Sequence, residues 1–310
     1  MRVDRRRFLV GCGLSALALR SRRAGADSPA RTRLVLLGTG GGPTPKRLRA
    51  APAQAIVVGE DVYLVDCGDG VGRQLALADL PLSRLRGVFI THQHSDHNAG
   101  YASLLLFAWL AGLEPGLPAY GPPPLRRMTE LAAELHAYDI EIRIRDVGRP
   151  PFAGLADPHE ITTAGLVMQR GGVKVTAALV RHPPVVPAFA YRFDTPDRCI
   201  VISGDTAPSQ NLIELAKGAD VLVHEVIYAP AIDRLVAAEP QAPRLRQHLL
   251  ASHTPCAEVG RIAAAAGVKT LVLSHLVPGD DASISDAMWT EEVREHFKGE
   301  IVVGRDLMVI

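Results

Sequence analysis

Residues 91–97 read Thr-His-Gln-His-Ser-Asp-His, so His92, His94, Asp96 and His97 place four metal-binding side chains within six residues. Imidazole and carboxylate are donors that divalent ions such as zinc accept. Residues 87–91 read as the end of a buried strand, which puts the cluster where that strand stops. His92 and His94, two apart on extended backbone, point the same way. After a turn at Ser95, Asp96 and His97 can face the same point from the start of a helix. One metal can take the two early histidines and a second can take Asp96 and His97. A histidine-rich surface loop has no need of this spacing, and other candidate ligands follow downstream.

The elements that must position these groups can be read around them. Residues 33–38 form a first buried strand, followed by Thr39-Gly40-Gly41-Gly42-Pro43. That loop lacks the Lys-Ser/Thr of a phosphate-binding P-loop and reads as a turn beside the metal site. Residues 55–58 and 62–65 read as a hairpin ending in Asp66-Cys67-Gly68-Asp69-Gly70, where Asp66 and Asp69 are expected to shape the turn and support ligands from behind. An amphipathic helix over 71–78 and a strand over 85–91 lead into the central motif. Residues 98–113 predict a helix whose apolar side (Ala102, Leu105, Leu106, Trp109, Leu110) packs into the core. A Gly/Pro loop over 115–124, a surface helix over 125–138 carrying a solvated His136, and an irregular rim over 140–166 containing His159 come next.

Residues 173–180 return to strand and end at Arg181-His182-Pro183-Pro184, again a histidine where a strand stops, read as the third ligand of the first metal. A hairpin over 189–193 and 199–202 closes on Ser203-Gly204-Asp205-Thr206. A carboxylate at a strand end can bridge two metals, because its oxygens diverge. A helix over 211–219 and a strand over 221–224 lead to His224-Glu225. After an irregular stretch, His253-Thr254-Pro255 opens a helix to Gly267, with Thr254 as its N-cap. A core strand over 271–274 ends at His275, and a helix over 287–297 and a strand or hairpin over 300–308 close the chain. Strand, ligand, helix recurring in this way is an α/β layering with the site at strand ends.

The 310 residues show neither repeat nor composition break after residue 27, so one domain over 27–310 is expected. No run is apolar for the ~20 residues that span a bilayer. Residues 1–26 read as an export signal: Arg5-Arg6-Arg7-Phe8-Leu9 resembles the twin-arginine consensus, 8–19 is a short apolar stretch, and Ala24-Gly25-Ala26 is a small-residue cleavage site. The expected destination is the periplasm or the exterior. Cys12 raises the alternative of a lipid anchor, but only four residues separate it from Arg7, too few for an apolar region. Removing residues 1–26 takes away seven arginines and Asp4 and moves the formal net charge from +1 to −5. An acidic mature chain speaks against a large polyanionic partner. Cys67, Cys199 and Cys256 remain, odd in number and far apart, and read as structural thiols.

The pattern His-x-His-x-Asp-His resembles the metallo-β-lactamase superfamily, and the resemblance extends over nearly the whole chain. It implies an αββα sandwich. Carried over residue by residue, it implies a first metal on His92, His94 and His182, a second on Asp96, His97 and His275, and Asp205 as the bridge. Two Zn2+ ions are expected, with Mn2+ or Fe as alternatives. Such a pair lowers the pKa of a bridging water to give hydroxide near neutral pH, which Asp96 could orient.

Within the superfamily, the chain resembles the ribonuclease Z and arylsulfatase-like branch through His182-Pro183, Pro187-Ala188-Phe189-Ala190-Tyr191-Arg192-Phe193, Ser203-Gly204-Asp205-Thr206, His224-Glu225 and Ser252-His253-Thr254. The resemblance implies that Glu225 and His253 work together, His253 protonating the leaving oxygen. His224, His248 and His296 read as structural. The tRNA-processing members carry a tRNA-gripping arm, in many of them between the third His and the bridging Asp, where this chain has 22 residues. Class B β-lactamases mostly have Cys at the position of Asp205, which sets antibiotic hydrolysis aside. The expected function is an exported dinuclear-metal hydrolase of small anionic esters, either aryl or alkyl sulfates or phosphodiesters. The expected partner is a small molecule and not a nucleic acid, with a homodimer as one oligomeric arrangement. The alternative is a ribonuclease Z-type endoribonuclease of tRNA 3′ processing, with a basic surface and salt-sensitive affinity.

Overall fold

Two seven-stranded sheets lie face to face in a computed structural model that describes residues 32–310; the export segment expected over residues 1–26 lies outside the described residues. The first sheet is built from β1 (Arg33–Gly38), β2 (Ala53–Val58), β3 (Asp61–Val65), β4 (Leu85–Phe89), β5 (Leu117–Gly121), β6 (Ala156–Glu160) and the short closing β14 (Met308–Val309). Its order is β14-β1-β2-β3-β4-β5-β6. The second uses β7 (Gly165–Arg170), β8 (Val173–Leu179), β9 (Phe189–Asp194), β10 (Cys199–Ile202), β11 (Val221–Ile227), β12 (Thr270–Val277) and β13 (Glu300–Val303), in the order β13-β12-β11-β10-β9-β8-β7.

The strand sequences explain the layering. Successive side chains alternate faces, and in the central strands both faces are apolar. In β1, Leu34 and Leu36 point between the sheets while Val35 and Leu37 point outward. Tyr63 and Val65 of β3 do the same against Val62 and Leu64. Phe189, Tyr191 and Phe193 of β9 meet them from the opposite sheet, and Phe89 sits at the centre, against the rings of Tyr120, Tyr191 and Phe193. Removing such a ring costs about 3–5 kcal/mol. The outward faces are covered by helices. α1 (Val71–Leu77), α3 (Tyr101–Leu110), α4 (Leu125–Leu135) and α5 (Ala137–Val147) cover the first sheet, while α6 (Gln210–Ala216), α9 (Cys256–Ala266) and α10 (Asp286–His296) cover the second. The result is the expected αββα sandwich.

Several stretches differ from the sequence reading, among them the rim expected as irregular over 140–166, which contains β6 and the start of β7. The Gly/Pro segment over 115–124 contains β5, whose Leu117 and Ala119 are buried in spite of Pro118. The helix expected over 125–138 breaks at His136, and a second helix, α5, follows where irregular chain was expected. Its alternating Ile-Glu-Ile-Arg-Ile-Arg hides a helical contact of Ile140 and Ile144 with the core, and Gly148 ends it at φ 72°. The helix expected over 98–113 is α2 (Ser95–Asn98) followed by α3. The irregular stretch before His253 is a helical hairpin, α7 (Ile232–Ala237) and α8 (Leu245–Ser252), seated on Ile227 and Val277 through Ile232 and Leu249. No helix among the described residues is long and apolar enough to cross a membrane.

Candidate metal centre

The strand-end loops of both sheets converge on one buried cluster. Beyond β4, Thr91 is fixed by Asp66, which accepts from its backbone N–H at 2.8 Å and from its hydroxyl at 2.9 Å. The Thr91 carbonyl accepts from Phe189 of the opposite sheet at 2.9 Å, tying the sheets together at the site. His92 and His94 then follow in extended backbone. His92 Nε2 and His182 Nε2 each lie 3.1 Å from His94 Nδ1. Asp205 Oδ2 completes this group at 3.8 Å from His92 and 3.9 Å from His182. A second group, Asp96, His97 and His275, adjoins it. His275 Nε2 lies 3.4 Å from Asp96 Oδ2 and 3.2 Å from Asp205 Oδ2, and His97 Nε2 lies 3.4 Å from Asp205 Oδ1. Asp205 thus touches both groups with its two oxygens.

Local backbone features produce these positions. Sequence reading ended two strands at His224 and His275, but β11 and β12 run on through them. Glu225 pairs with Ser274 and Val226 with Leu276, so His275 is the extra residue of a bulge, at φ 45°. A bulge re-aims its side chain out of the ladder, which turns His275 into the cluster. Leu276 N–H donates to the Thr39 carbonyl and Gly41 N–H to that of Leu276, binding the glycine loop after β1 against the bulge. A Cβ at Gly41 would lie 2.6 Å from His275 Nδ1, so only glycine fits there. The next amide, Gly42 N–H, donates to Asp96 Oδ2 at 3.1 Å.

The donors suit metal ions. Thr91 gives its one hydroxyl proton to Asp66, so the 3.1 Å contact with His92 is donated by His92 Nδ1. His182 Nδ1 donates to the Ser252 carbonyl at 3.0 Å, and His97 Nδ1 to Asp66 Oδ2 at 2.8 Å. In His92 and His182 Nε2 keeps its lone pair and faces the cluster. His97 Nε2 faces it too, but burial of this imidazole is outweighed by Asp205, Asp66 and Asp96, which push it well up, so a metal there would displace a proton. His97 Nε2 and Asp205 Oδ1 are buried with no hydrogen-bond partner. Nitrogens crowded at 3.1 Å match the roughly 3.3 Å edge of a tetrahedron with zinc–nitrogen bonds of about 2.0–2.1 Å. Burial pushes His92 and His182 down, His182 to about 4, which keeps them neutral. Burial would raise Asp96 and Asp205, but His97 and His275 outweigh it and hold both carboxylates well below their usual range.

Glu225 and His253 lie beside the second group. Glu225 Oε1 accepts from Thr206 N–H at 3.2 Å and Thr254 N–H at 2.9 Å, leaving Oε2 to face His253 Nδ1 at 3.3 Å. Burial works against a charged His253, yet Glu225 with Asp205 and Asp96 lifts it to about 9. The Thr254 hydroxyl donates to the Thr206 carbonyl at 2.6 Å and caps no helix; Pro255 holds the N-cap position of α9. A third group, Asp205, His253 and His275, overlaps the second; Asp66 stands behind the ligands, as the sequence suggested, and has no place in any of the three. His224 is buried with Nδ1 on the Glu225 carbonyl, away from those groups. His248, read as structural, reaches the mouth of the centre, with its ring 6.0 Å from that of His182. Its placement depends on α8, which the sequence reading lacked.

The Beta-lactamase superfamily domain matches residues 62–276. A ribonuclease Z of Mycobacterium bovis is 34% identical over 281 residues, covering 88% of this chain and 96% of the relative. The chain belongs to the ribonuclease Z branch of the metallo-β-lactamase superfamily. A ribonuclease Z of Mycolicibacterium paratuberculosis is 35% identical over 280 residues, with the same coverage. Among solved structures, a metallo-beta-lactamase fold protein, YhfI, from Bacillus subtilis superposes with TM-score 0.67 at 23% identity, covering 91% of this chain and 99% of that one. The short form of human tRNase Z superposes with TM-score 0.64 at 24% identity, over 90% and 98%. These two show the fold.

Family membership makes the chain a metal-dependent hydrolase of ester bonds. It also corrects two expectations. A small sulfate or phosphate ester as substrate, and the exclusion of nucleic acid as partner, give way to relatives named ribonuclease Z across nearly their whole length. The physical reason is that net charge averages over the surface and does not report the charge at the mouth of a site. The brevity of the segment between His182 and Asp205 likewise measures one loop only.

Proposed function

We propose that this chain is a ribonuclease Z-type endoribonuclease that cuts RNA phosphodiesters with two zinc ions. The observation that supports it most is the match of ribonuclease Z relatives over 96% of their length, in a chain that gathers all seven expected ligands and the Glu225–His253 pair. His92, His94 and His182 would hold one ion, Asp96, His97 and His275 the other, and Asp205 both. When bound, the pair supplies an activated water and neutralises charge on the phosphate oxygens.

The remaining steps belong to side chains of the chain. Thr91, Asp66 and the Ser252 carbonyl hold three imidazoles in the tautomer that presents Nε2. Gly42 N–H holds Asp96 Oδ2 in place, from where Asp96 orients the attacking water. His253, kept protonated by Glu225, gives its proton to the leaving 3′-oxygen. Glu225 is itself pinned by two amides, so the pair keeps its geometry through the reaction.

The test is cleavage of a precursor tRNA by the zinc-loaded protein, with the fragment ends mapped. A single cut near the 3′ end that leaves a 3′-hydroxyl is expected, with kcat/KM falling steeply as salt rises. Absence of cleavage in a preparation that turns over bis-p-nitrophenyl phosphate would sink this reading. Residues 1–26 we propose to be a twin-arginine export signal, supported by Arg5-Arg6-Arg7-Phe8-Leu9 and the Ala24-Gly25-Ala26 site.

A further inference from the structure

α8 brings to the mouth of the centre a histidine that the steps above do not use. His248 lies one turn before Ser252, and its ring centre is 5.8 Å from that of His253 and 6.2 Å from that of His94. His253 and His182 are buried, whereas His248 is only partly buried. One hydrogen bond fixes its ring, between His248 Nδ1 and Ser252 Oγ at 3.3 Å. The Ser252 hydroxyl has a single proton, and it donates that proton to the Pro183 carbonyl. Ser252 Oγ must therefore accept, His248 Nδ1 must donate, and Nε2 keeps its lone pair. No group among the described residues hydrogen-bonds that Nε2.

A nitrogen that can only accept is a poor anchor for phosphate oxygens and a good one for a hydroxyl. We propose that His248 accepts a hydrogen bond from the 2′-hydroxyl of the ribose whose 3′-oxygen leaves, and so sets a preference for ribose over deoxyribose. This rests on the endoribonuclease reading above. A ribose presents its 2′- and 3′-oxygens side by side. Two imidazoles with ring centres 5.8 Å apart can flank such a pair, His253 serving the leaving oxygen and His248 its neighbour. The metal ligands and His253 act on the phosphate and the 3′-oxygen, which ribose and deoxyribose share, so neither distinguishes the two sugars. His248 is a positioning residue here, and its tautomer is set by Ser252.

The test uses two oligonucleotides of one sequence, with either a 2′-hydroxyl or a 2′-fluoro group on the ribose 5′ to the cut. Fluorine keeps the electron demand but donates nothing. The full chain, loaded with zinc, should prefer the hydroxyl substrate in kcat/KM by roughly 2- to 10-fold, the usual worth of one neutral hydrogen bond. In His248→Ala the ratio should fall to near one. His248→Gln retains an acceptor near the position of Nε2 and should keep part of the preference, and it carries the test if the alanine variant does not fold. A merely structural role would slow both substrates alike and leave the ratio unchanged, which overturns the proposal. Equal cleavage of both by the wild type also overturns it while leaving the endoribonuclease reading intact. Cleavage of neither removes both.

Discussion

The carboxylate of Asp66 stands 2.8 Å from Nδ1 of His97, and this contact decides which nitrogen of that histidine faces the cluster. Asp66 also receives the backbone N–H and hydroxyl of Thr91, so one side chain sets the start of the ligand loop and the tautomer of a ligand six residues further on. Asp66→Asn is the informative change. The residue lies at φ 61°, which asparagine tolerates, so the backbone should hold. An amide cannot accept from Thr91 and His97 in the same way, and metal affinity should fall about 10- to 100-fold. Competition with a chromophoric chelator measures this; unchanged affinity would make Asp66 a turn residue only.

Metal removal should be visible in stability. An ion held at about 1,000 times its Kd adds roughly 4 kcal/mol to the folded state, and a domain of this size moves about 2–4 °C per kcal/mol. Stripping the chain with a chelator should therefore lower Tm by on the order of 10 °C, and zinc should restore it. Asp205→Ala removes the carboxylate that faces both groups, at 3.4 Å from His97 and 3.8 Å from His92. Elemental analysis of this variant should give fewer than two ions, and zinc should rescue less of its Tm. A variant that still binds two ions and turns over normally would end the bridging assignment.

How much of this was legible in the chain differs by residue. His92, His94, Asp96 and His97 were, because four donors at that spacing are a local pattern that needs no tertiary information. His182, Asp205 and His275 were legible as residues at strand ends, although His275 in fact sits in a bulge. That bulge depends on how β12 pairs with β11, a long-range register that no local signal encodes. The Glu225–His253 contact became visible only through resemblance, since 27 residues lie between the two positions. α8 was missed for a different reason. Its apolar contacts reduce to Leu249 with partly buried Leu245, too few to mark a helix face, and His248 was lost with it. The substrate was misread because sulfate and phosphate esters present the same oxygens to two metals, so the ligands are silent about the choice.

The proposed export signal gives a cellular prediction. Arg5→Lys with Arg6→Lys should hold the precursor in the cytoplasm, because the twin-arginine route reads that pair. The route carries folded proteins, which suits a centre whose buried ligands must be filled before the chain crosses. Fractionation of cells expressing the tagged full chain measures it. Normal periplasmic accumulation of the double variant would remove the twin-arginine assignment and leave the catalytic reading untouched.

The last prediction concerns the proton. If His253 protonates the leaving oxygen, its loss should matter most where that oxygen leaves badly. p-Nitrophenolate departs unaided, whereas a ribose oxygen does not. General acid catalysis typically contributes ~10²–10⁴-fold, so His253→Ala should lose about that much on RNA and far less on bis-p-nitrophenyl phosphate. The pH profile gives a second readout. His253 is raised to about 9 against the effect of burial, chiefly by Glu225, and the acid is competent only while protonated. Activity on RNA should therefore persist through neutral pH and fall as pH rises through the pKa of His253. Glu225→Gln removes the charge that raises that pKa while keeping a side chain of the same length beside Thr206 and Thr254. Its alkaline limb should move to lower pH on RNA, and the p-nitrophenyl ester should show no such shift, because its leaving group needs no proton. Equal losses on both esters in His253→Ala, or an alkaline limb that stays in place in Glu225→Gln, would mean that the pair holds the site together and supplies no proton.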